Sequence, residues 1–164
     1  MSDVVIIMGS KADLAQGQQI AEALTRFGLS YELRVASAHK SPTYLLQMLQ
    51  EYEKQDAAVA EGSTRRVYIT IAGRSNALSG FVDAAVSAPV IACPPYTEKF
   101  AGADIFSSLR MPSGVAPAVV LEPDAAALLA AKILGRRAQV RAIQSEQAAR
   151  LVADDQSLRE GNAR

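Results

Sequence analysis

The sequence predicts a three-layer α/β/α domain built on a parallel sheet of five strands. Three observations predict it. Short runs of apolar, often β-branched residues alternate with longer stretches whose apolar residues recur at helical spacing. The short runs are continuously apolar, as strands covered on both faces are. Strands alternating with helices pair in parallel through right-handed crossovers. The 164 residues suit one domain, and 49% of them are apolar, enough for a substantial core.

Val4 to Met8 (VVIIM) reads as the first strand, followed by the turn Gly9-Ser10. Asp13 to Phe27 places Leu14, Ile20, Ala21, Leu24 and Phe27 at helical spacing, with Gly28 as the stop. Tyr31 to Ala36 is the second strand. Ser41-Pro42 joins an N-cap residue to proline at the first helical position and opens a helix to about Lys54. Gln55 to Thr64 is polar and reads as a linker. Arg66 to Ala72 (RVYITIA) is the third strand, followed by a helix over Ala77 to Ser87 and a short fourth strand over Pro89 to Ala92.

Pro94-Pro95 makes Cys93 to Ala101 a loop. A short helix is expected at Asp104 to Leu109 and the fifth strand at Ala118 to Leu121. Pro123 opens an alanine-rich helix to Leu134, and Arg136 to about Asp155 forms a more polar one with a frayed end beyond it. The expected division is an α/β domain bearing the chemistry over residues 1–135 and a helical extension over 136–164.

Composition narrows the function classes. Lys plus Arg and Asp plus Glu number 17 each, so charge offers no reason to expect nucleic acid or an anionic membrane as partner. Trp is absent and aromatic residues make up 5%, which argues against a base-stacking platform. Cys93 is the only cysteine, so no intrachain disulfide forms, and a reducing cytoplasm is the expected compartment. Met1 to Met8 has neither the basic start nor the small-residue cleavage site of a signal peptide. No apolar run approaches the ~20 residues of a membrane span.

Ligands of parallel α/β sheets bind beyond the carboxyl ends of the strands, so the loops after strands one, two, three and five are the places to seek chemistry. Gly9-Ser10-Lys11-Ala12-Asp13 after the first strand reads either as a phosphate cradle of backbone N–H groups or as ordinary helix capping. Ser37-Ala38-His39-Lys40 follows the second. An imidazole there suits proton transfer near neutral pH, and the alternative is a hydrogen-bonded structural histidine. Lys40 is an anion ligand or a solvated charge.

After the third strand, Gly73 permits close approach, while Ser75 and Asn76 are ligands or helix caps. Arg74 is an anion ligand or a surface ion-pair member. Cys93 reads better as a buried inert thiol than as a nucleophile. One His and one Cys supply no metal-ligand spacing. Before the fifth strand, the Pro112-Ser113-Gly114 turn offers its backbone to a ligand, and Met111 covers a ring or simply fills space.

Taken together and in order, five segments resemble the phosphoribosylaminoimidazole carboxylase family: Gly9-Ser10-x-x-Asp13, Ser37-Ala38-His39-Lys40, Ala72-Gly73-Arg74-Ser75-Asn76, Cys93-Pro94-Pro95 and Ser107 through Gly114. The resemblance covers about residues 4–134. It implies a flavodoxin-like five-stranded sheet, a homo-octamer without metal or organic cofactor, and a C-terminal helical segment packed on neighbouring subunits. Val140, Ile143, Leu151 and Val152 form a partial apolar stripe compatible with such packing or with docking on the chain's own domain.

The family has two classes. The mutase class, which uses the N-carboxylated nucleotide, normally carries a second histidine where Arg74-Ser75-Asn76 stands here. This chain has one histidine, and its Arg-Ser-Asn and Cys-Pro-Pro motifs are similar to the class that carboxylates aminoimidazole ribonucleotide directly with carbon dioxide. In one respect the chain departs from the pattern: the first loop commonly reads Gly-Ser-x-Ser-Asp, and Ala12 here lacks that second hydroxyl. The resemblance implies phosphate contacts from Gly9, Ser10, Ser37, Lys40 and Ser113, and a ribose contact from Asp13. Gly73, Ser75 and Asn76 would receive carbon dioxide, and His39 would move the ring proton. The rivals are the mutase reaction, a flavin carrier or phospho-receiver of the same topology, and a nucleotide-binding subunit without turnover.

Overall fold

The computed structural model describes residues 2–57, 65–96, 98 and 101–162. Five strands form one sheet: β1 (Val4–Met8), β2 (Tyr31–Val35), β3 (Val67–Ile71), β4 (Val90–Ala92) and β5 (Ala118–Val119). Their order is β2-β1-β3-β4-β5, and every neighbouring pair is parallel. The helices are α1 (Leu14–Arg26), α2 (Pro42–Asp56), α3 (Ala77–Ala85), α4 (Phe106–Leu109), α5 (Pro123–Ile133) and α6 (Arg137–Asn162). Single 3-10 turns at Lys11–Asp13 and Ala103–Ile105 precede α1 and α4.

The period of two along a strand explains the layers. Val4, Ile6 and Met8 face one side and pack with Ile20 and Leu24 of α1, Ala126, Ala127, Ala130 and Ala131 of α5, and Val140 of α6. Val5 and Ile7 face the other side and pack with Leu45, Met48 and Leu49 of α2 and Leu78 and Val82 of α3. β1 and β3 are buried along their whole length, which is why β1 reads as an unbroken apolar run and β3 is interrupted only by Thr70. On α1, Gly17 allows close approach to the sheet, since a Cβ there would meet Met8 Sδ at 2.9 Å.

Several boundaries differ from the sequence expectation. Gln55 and Asp56 belong to α2 rather than to a linker, and residues 58–64 of that linker lie outside the described residues. Asp13 ends a 3-10 turn instead of opening α1. β5 stops at Val119, two residues early, and α3 stops at Ala85. Cys93 to Tyr96 is irregular as expected, while residues 97, 99 and 100 of that loop lie outside the described residues. α6 continues to Asn162 rather than fraying after Asp155. Only its first turns pack on the domain, through Val140 and Ile143, and Leu151, Val152 and Leu158 are exposed.

The end of the sheet away from the strand carboxyl termini is tied by a charge. Arg66, at 1% relative exposure, donates Nε to Asp56 Oδ2 at 2.7 Å and Nη2 to Asp56 Oδ1 at 3.0 Å. It also donates to the Ser2 carbonyl at 3.1 Å and lies 4.6 Å from the Tyr52 ring centroid. This bidentate pair joins the last turn of α2 to the entrance of β3. Asp56→Ala leaves the guanidinium buried without its carboxylate. It should therefore lower stability by about 3–5 kcal/mol, read as a drop in urea midpoint at unchanged slope.

Candidate active site

The carboxyl ends of β1, β2 and β3 open onto one cleft of about 400 Å³. Its walls are Gly9, Ser10, Ala12 and Asp13 from the first loop, Ser37, Ala38, His39 and Lys40 from the second, and Gly73, Arg74 and Ser75 from the third. Ala72 and Leu78 form its floor side, and Pro95 reaches it from the loop after β4.

The first loop is held by reciprocal capping. Ser10 Oγ accepts from Ala12 N at 3.2 Å, and Asp13 Oδ2 accepts from Ser10 N at 3.1 Å and from Ser10 Oγ at 3.3 Å. The side chains thus cap the 3-10 turn, which is the capping alternative, and the turn lines the cleft with the N–H groups of Gly9, Ser10, Ala12 and Asp13 donating within the fold. Gly9 N donates to Ile71 O at 2.8 Å, which binds the loop to the end of β3.

The second loop is a tight turn closed by two serines. Ser37 N donates to Ser41 Oγ at 3.0 Å, Ser41 N to Ser37 O at 2.9 Å, and Lys40 N to Ser37 Oγ at 3.2 Å. Ser41 spends its hydroxyl on this closure and makes no cap bond to α2, unlike the sequence expectation. His39 sits at the apex, exposed to solvent, and its ring makes no hydrogen bond among the described residues.

The third loop rests on a buried polar chain. Asn76 Oδ1 accepts from Ser79 N at 3.1 Å and Ser79 Oγ at 2.8 Å, capping α3, while its Nδ2 donates to Ser108 Oγ at 2.9 Å. Ser79 Oγ also meets Thr70 Oγ1 at 2.8 Å, which carries the chain back to β3. Asn76 is therefore buried as a cap and lines a neighbouring groove, not the cleft. Met111 lines that groove as well, against Gly80 of α3, where a Cβ would meet its Sδ at 3.1 Å. Ser113 and Gly114 are not among the cleft's lining residues; their turn is pinned to α3 by Ala116 N donating to Asp83 Oδ2 at 2.8 Å.

The single chain thus gathers Gly9, Ser10, Asp13, Ser37, His39, Lys40, Gly73, Arg74 and Ser75, and it does not bring Asn76, Met111, Ser113 or Gly114 to the same wall. The part played by Asp104 escaped sequence reasoning, in which this residue marked only a helix start. Its carboxylate accepts from Arg74 N across 30 positions of sequence, a contact no local pattern announces. Among the described residues, no three His, Cys, Asp or Glu side chains converge as a metal site would require, and no helix is long and apolar enough to cross a membrane.

Comparison with known proteins defines the class. The model of the AIR carboxylase family matches residues 3–153, and the chain belongs to that family of enzymes. The phosphoribosylaminoimidazole carboxylase of Archaeoglobus fulgidus is 52% identical over 160 residues, covering 94% of this chain and 84% of that one. That of Treponema denticola is 48% identical over 161 residues, covering 95% of this chain and 97% of the other. The crystal structure of Treponema denticola PurE superposes with a TM-score of 0.87 over 94% of this chain and 97% of that one, at 48% identity. The human bifunctional phosphoribosylaminoimidazole carboxylase/phosphoribosylaminoimidazole succinocarboxamide synthetase is 41% identical over 132 residues, and this chain spans 29% of it.

Cys93 stands behind the cleft at the end of β4. It is buried, Gln16 Nε2 lies 3.4 Å from its Sγ, and Sγ lies 3.6 Å from Leu121 O. Burial pushes its thiol up to about 11, with Glu122 adding to the rise and the Gln16 contact opposing it. A raised value keeps the thiol neutral at pH 8, where the reactive thiolate is scarce. Iodoacetamide at pH 8 should leave the native protein unlabelled over a time in which the urea-unfolded chain reacts fully, as mass spectrometry would read.

Proposed function

We propose that this enzyme carboxylates 5-aminoimidazole ribonucleotide directly with carbon dioxide, reversibly giving 4-carboxy-5-aminoimidazole ribonucleotide in de novo purine biosynthesis. The observation that carries the proposal is the pairing of His39 with the Gly73-Arg74-Ser75 turn in one cleft. A mutase would normally carry its second histidine in that turn, and this chain has a single histidine. The similarity to the animal bifunctional enzymes agrees with the direct class, which the family resemblance associates with them.

The substrate is an electron-rich enamine, so its ring carbon attacks carbon dioxide without covalent help from the protein. Holding the two reactants together supplies much of the acceleration. Gly9, Ser10, Ser37 and Lys40 hold the phosphate, and Asp13 holds the ribose. Backbone and hydroxyl donors at Gly73 and Ser75 stabilise the carboxylate as its charge develops. The new C–C bond leaves a tetrahedral ring carbon that still bears hydrogen. Neutral His39 takes that proton, and the C–H electron pair restores the aromatic ring. In the reverse direction, protonated His39 delivers the proton to the same carbon before carbon dioxide leaves.

Ala12 removes one hydroxyl from the phosphate wall, and because the N–H groups of Gly9, Ser10, Ala12 and Asp13 are spent within the fold, the hydroxyls of Ser10 and Ser37 and the Lys40 ammonium are left to hold the anion. Asn76 is spent as the buried cap of α3, whereas Met111, Ser113 and Gly114 stand off the cleft within one chain, so their service to a site belongs to an assembly. We read the enzyme as a cytoplasmic homo-octamer in which residues 136–164 of one copy pack on another, a role suited to the exposed Leu151, Val152 and Leu158 of α6. Sedimentation of the purified protein as a monomer at micromolar concentration would remove that reading.

Two measurements decide the chemistry. His39→Asn should reduce turnover by about 10²- to 10⁴-fold and change nucleotide affinity by less than about threefold. Near-normal turnover in that variant would defeat the assignment. Supplied with 5-aminoimidazole ribonucleotide and bicarbonate, the wild-type enzyme should form product at a rate that follows free carbon dioxide. Product from the N-carboxylated isomer with no dependence on carbon dioxide would make it a mutase.

A further inference from the structure

Arg74 has φ +58°, the left-handed region that residues with a Cβ rarely occupy. A strained residue persists only where its surroundings impose the conformation. One contact on Arg74 comes from outside the cleft. Arg74 N donates to Asp104 Oδ2 at 3.2 Å, and Asp104 sits in the 3-10 turn before α4. The first turn of α4 grips the next residue but one: Asn76 N donates to Ser107 Oγ at 2.9 Å, and Ser107 Oγ donates to Asp104 O at 2.7 Å. Between these two grips the chain folds tightly, with Ser75 N donating to Gly73 O at 2.7 Å.

We infer that Asp104 is a positioning residue whose carboxylate holds Arg74 in its left-handed conformation and so aims the Gly73–Ser75 turn at the reacting carboxyl group. Without that acceptor Arg74 relaxes toward negative φ, and rotation about its backbone swings Gly73 and Ser75 out of line with the substrate carbon. The nucleotide wall, formed by the first and second loops, does not depend on this latch. Asp104 does not line the cleft, so its effect passes through Arg74. The inference rests on the proposed assignment of the Gly73–Ser75 turn to carbon dioxide.

The test uses Asp104→Ala, Asp104→Asn and the pair Asp104→Ala with Arg74→Gly, assayed with nucleotide and bicarbonate varied separately. Asp104→Ala should lower kcat/KM for carbon dioxide about tenfold while the nucleotide KM stays within about twofold. Asp104→Asn keeps an acceptor oxygen and should stay within about twofold of wild type. Glycine takes positive φ without strain, so in the Arg74→Gly background the Asp104→Ala effect should shrink below about threefold. Equal impairment by Asn and Ala, or an undiminished loss in the glycine background, would overturn the inference.

A crystal structure of Asp104→Ala supplies a readout independent of activity: Arg74 should leave the positive φ region, and its retention there refutes the latch. An inactive wild-type enzyme would refute the proposed function alone, with Arg74 φ still deciding this inference. If the alanine variant does not fold, Asp104→Glu, which keeps the charge and displaces the acceptor, should show the same carbon dioxide effect in milder form.

Discussion

The molecule depends on the parting of two neighbouring parallel strands. β1 and β3 keep register from Val4 opposite Val67 to Met8 opposite Ile71, and the bond from Gly9 N to Ile71 O is the last link between them. Beyond it the chain from β1 turns into α1 on one face, and the chain from β3 turns into α3 on the other. Right-handed crossovers force this divergence wherever strand order reverses, and the order β2-β1-β3 reverses at β1. A gap opens between the departing chains, and three loops rich in Gly and Ser empty into it.

The cleft is open to solvent and carries its polar groups among small apolar ones, yet each of its loops is fixed from behind. The capping box at Ser10 and Asp13 fixes the first, the Ser37–Ser41 closure the second, and the Thr70–Ser79–Asn76–Ser108 chain the third. Satisfied hydrogen bonds of this kind contribute modest net energy each, but an unsatisfied buried partner is costly, so such chains specify one conformation. That division suits a reaction needing little covalent chemistry and much positioning. At the opposite end of the sheet, Arg66 and Asp56 seal the entrance to β3 without touching the cleft.

Much of the fold was legible because its signals are local. The unbroken apolar run Val4 to Met8, the Ser41-Pro42 helix opening and the glycine stop at Gly28 each follow from short-range sterics and burial. The family motifs likewise lie within single loops, so the site's residue types were readable from the chain. Boundaries were less so. Asp56 ends α2 with its carboxylate bound by Arg66, and Ser41 gives its hydroxyl to the Ser37 turn instead of the helix end, contacts that no local pattern announces.

The sequence by itself determined the layers, the strand count and which loops carry the polar and titratable groups, since periodicity and turn chemistry act over a few residues. Tertiary structure alone decided which of those groups share a wall. It put His39, Lys40 and the Gly73–Ser75 turn in one cleft, set Asn76 and Met111 in the next groove, and gave Asp104 its hold on Arg74. The physical reason is that a hydrogen bond or a strained φ imposed across 30 residues depends on where crossovers deliver the backbone, and no local preference encodes that delivery.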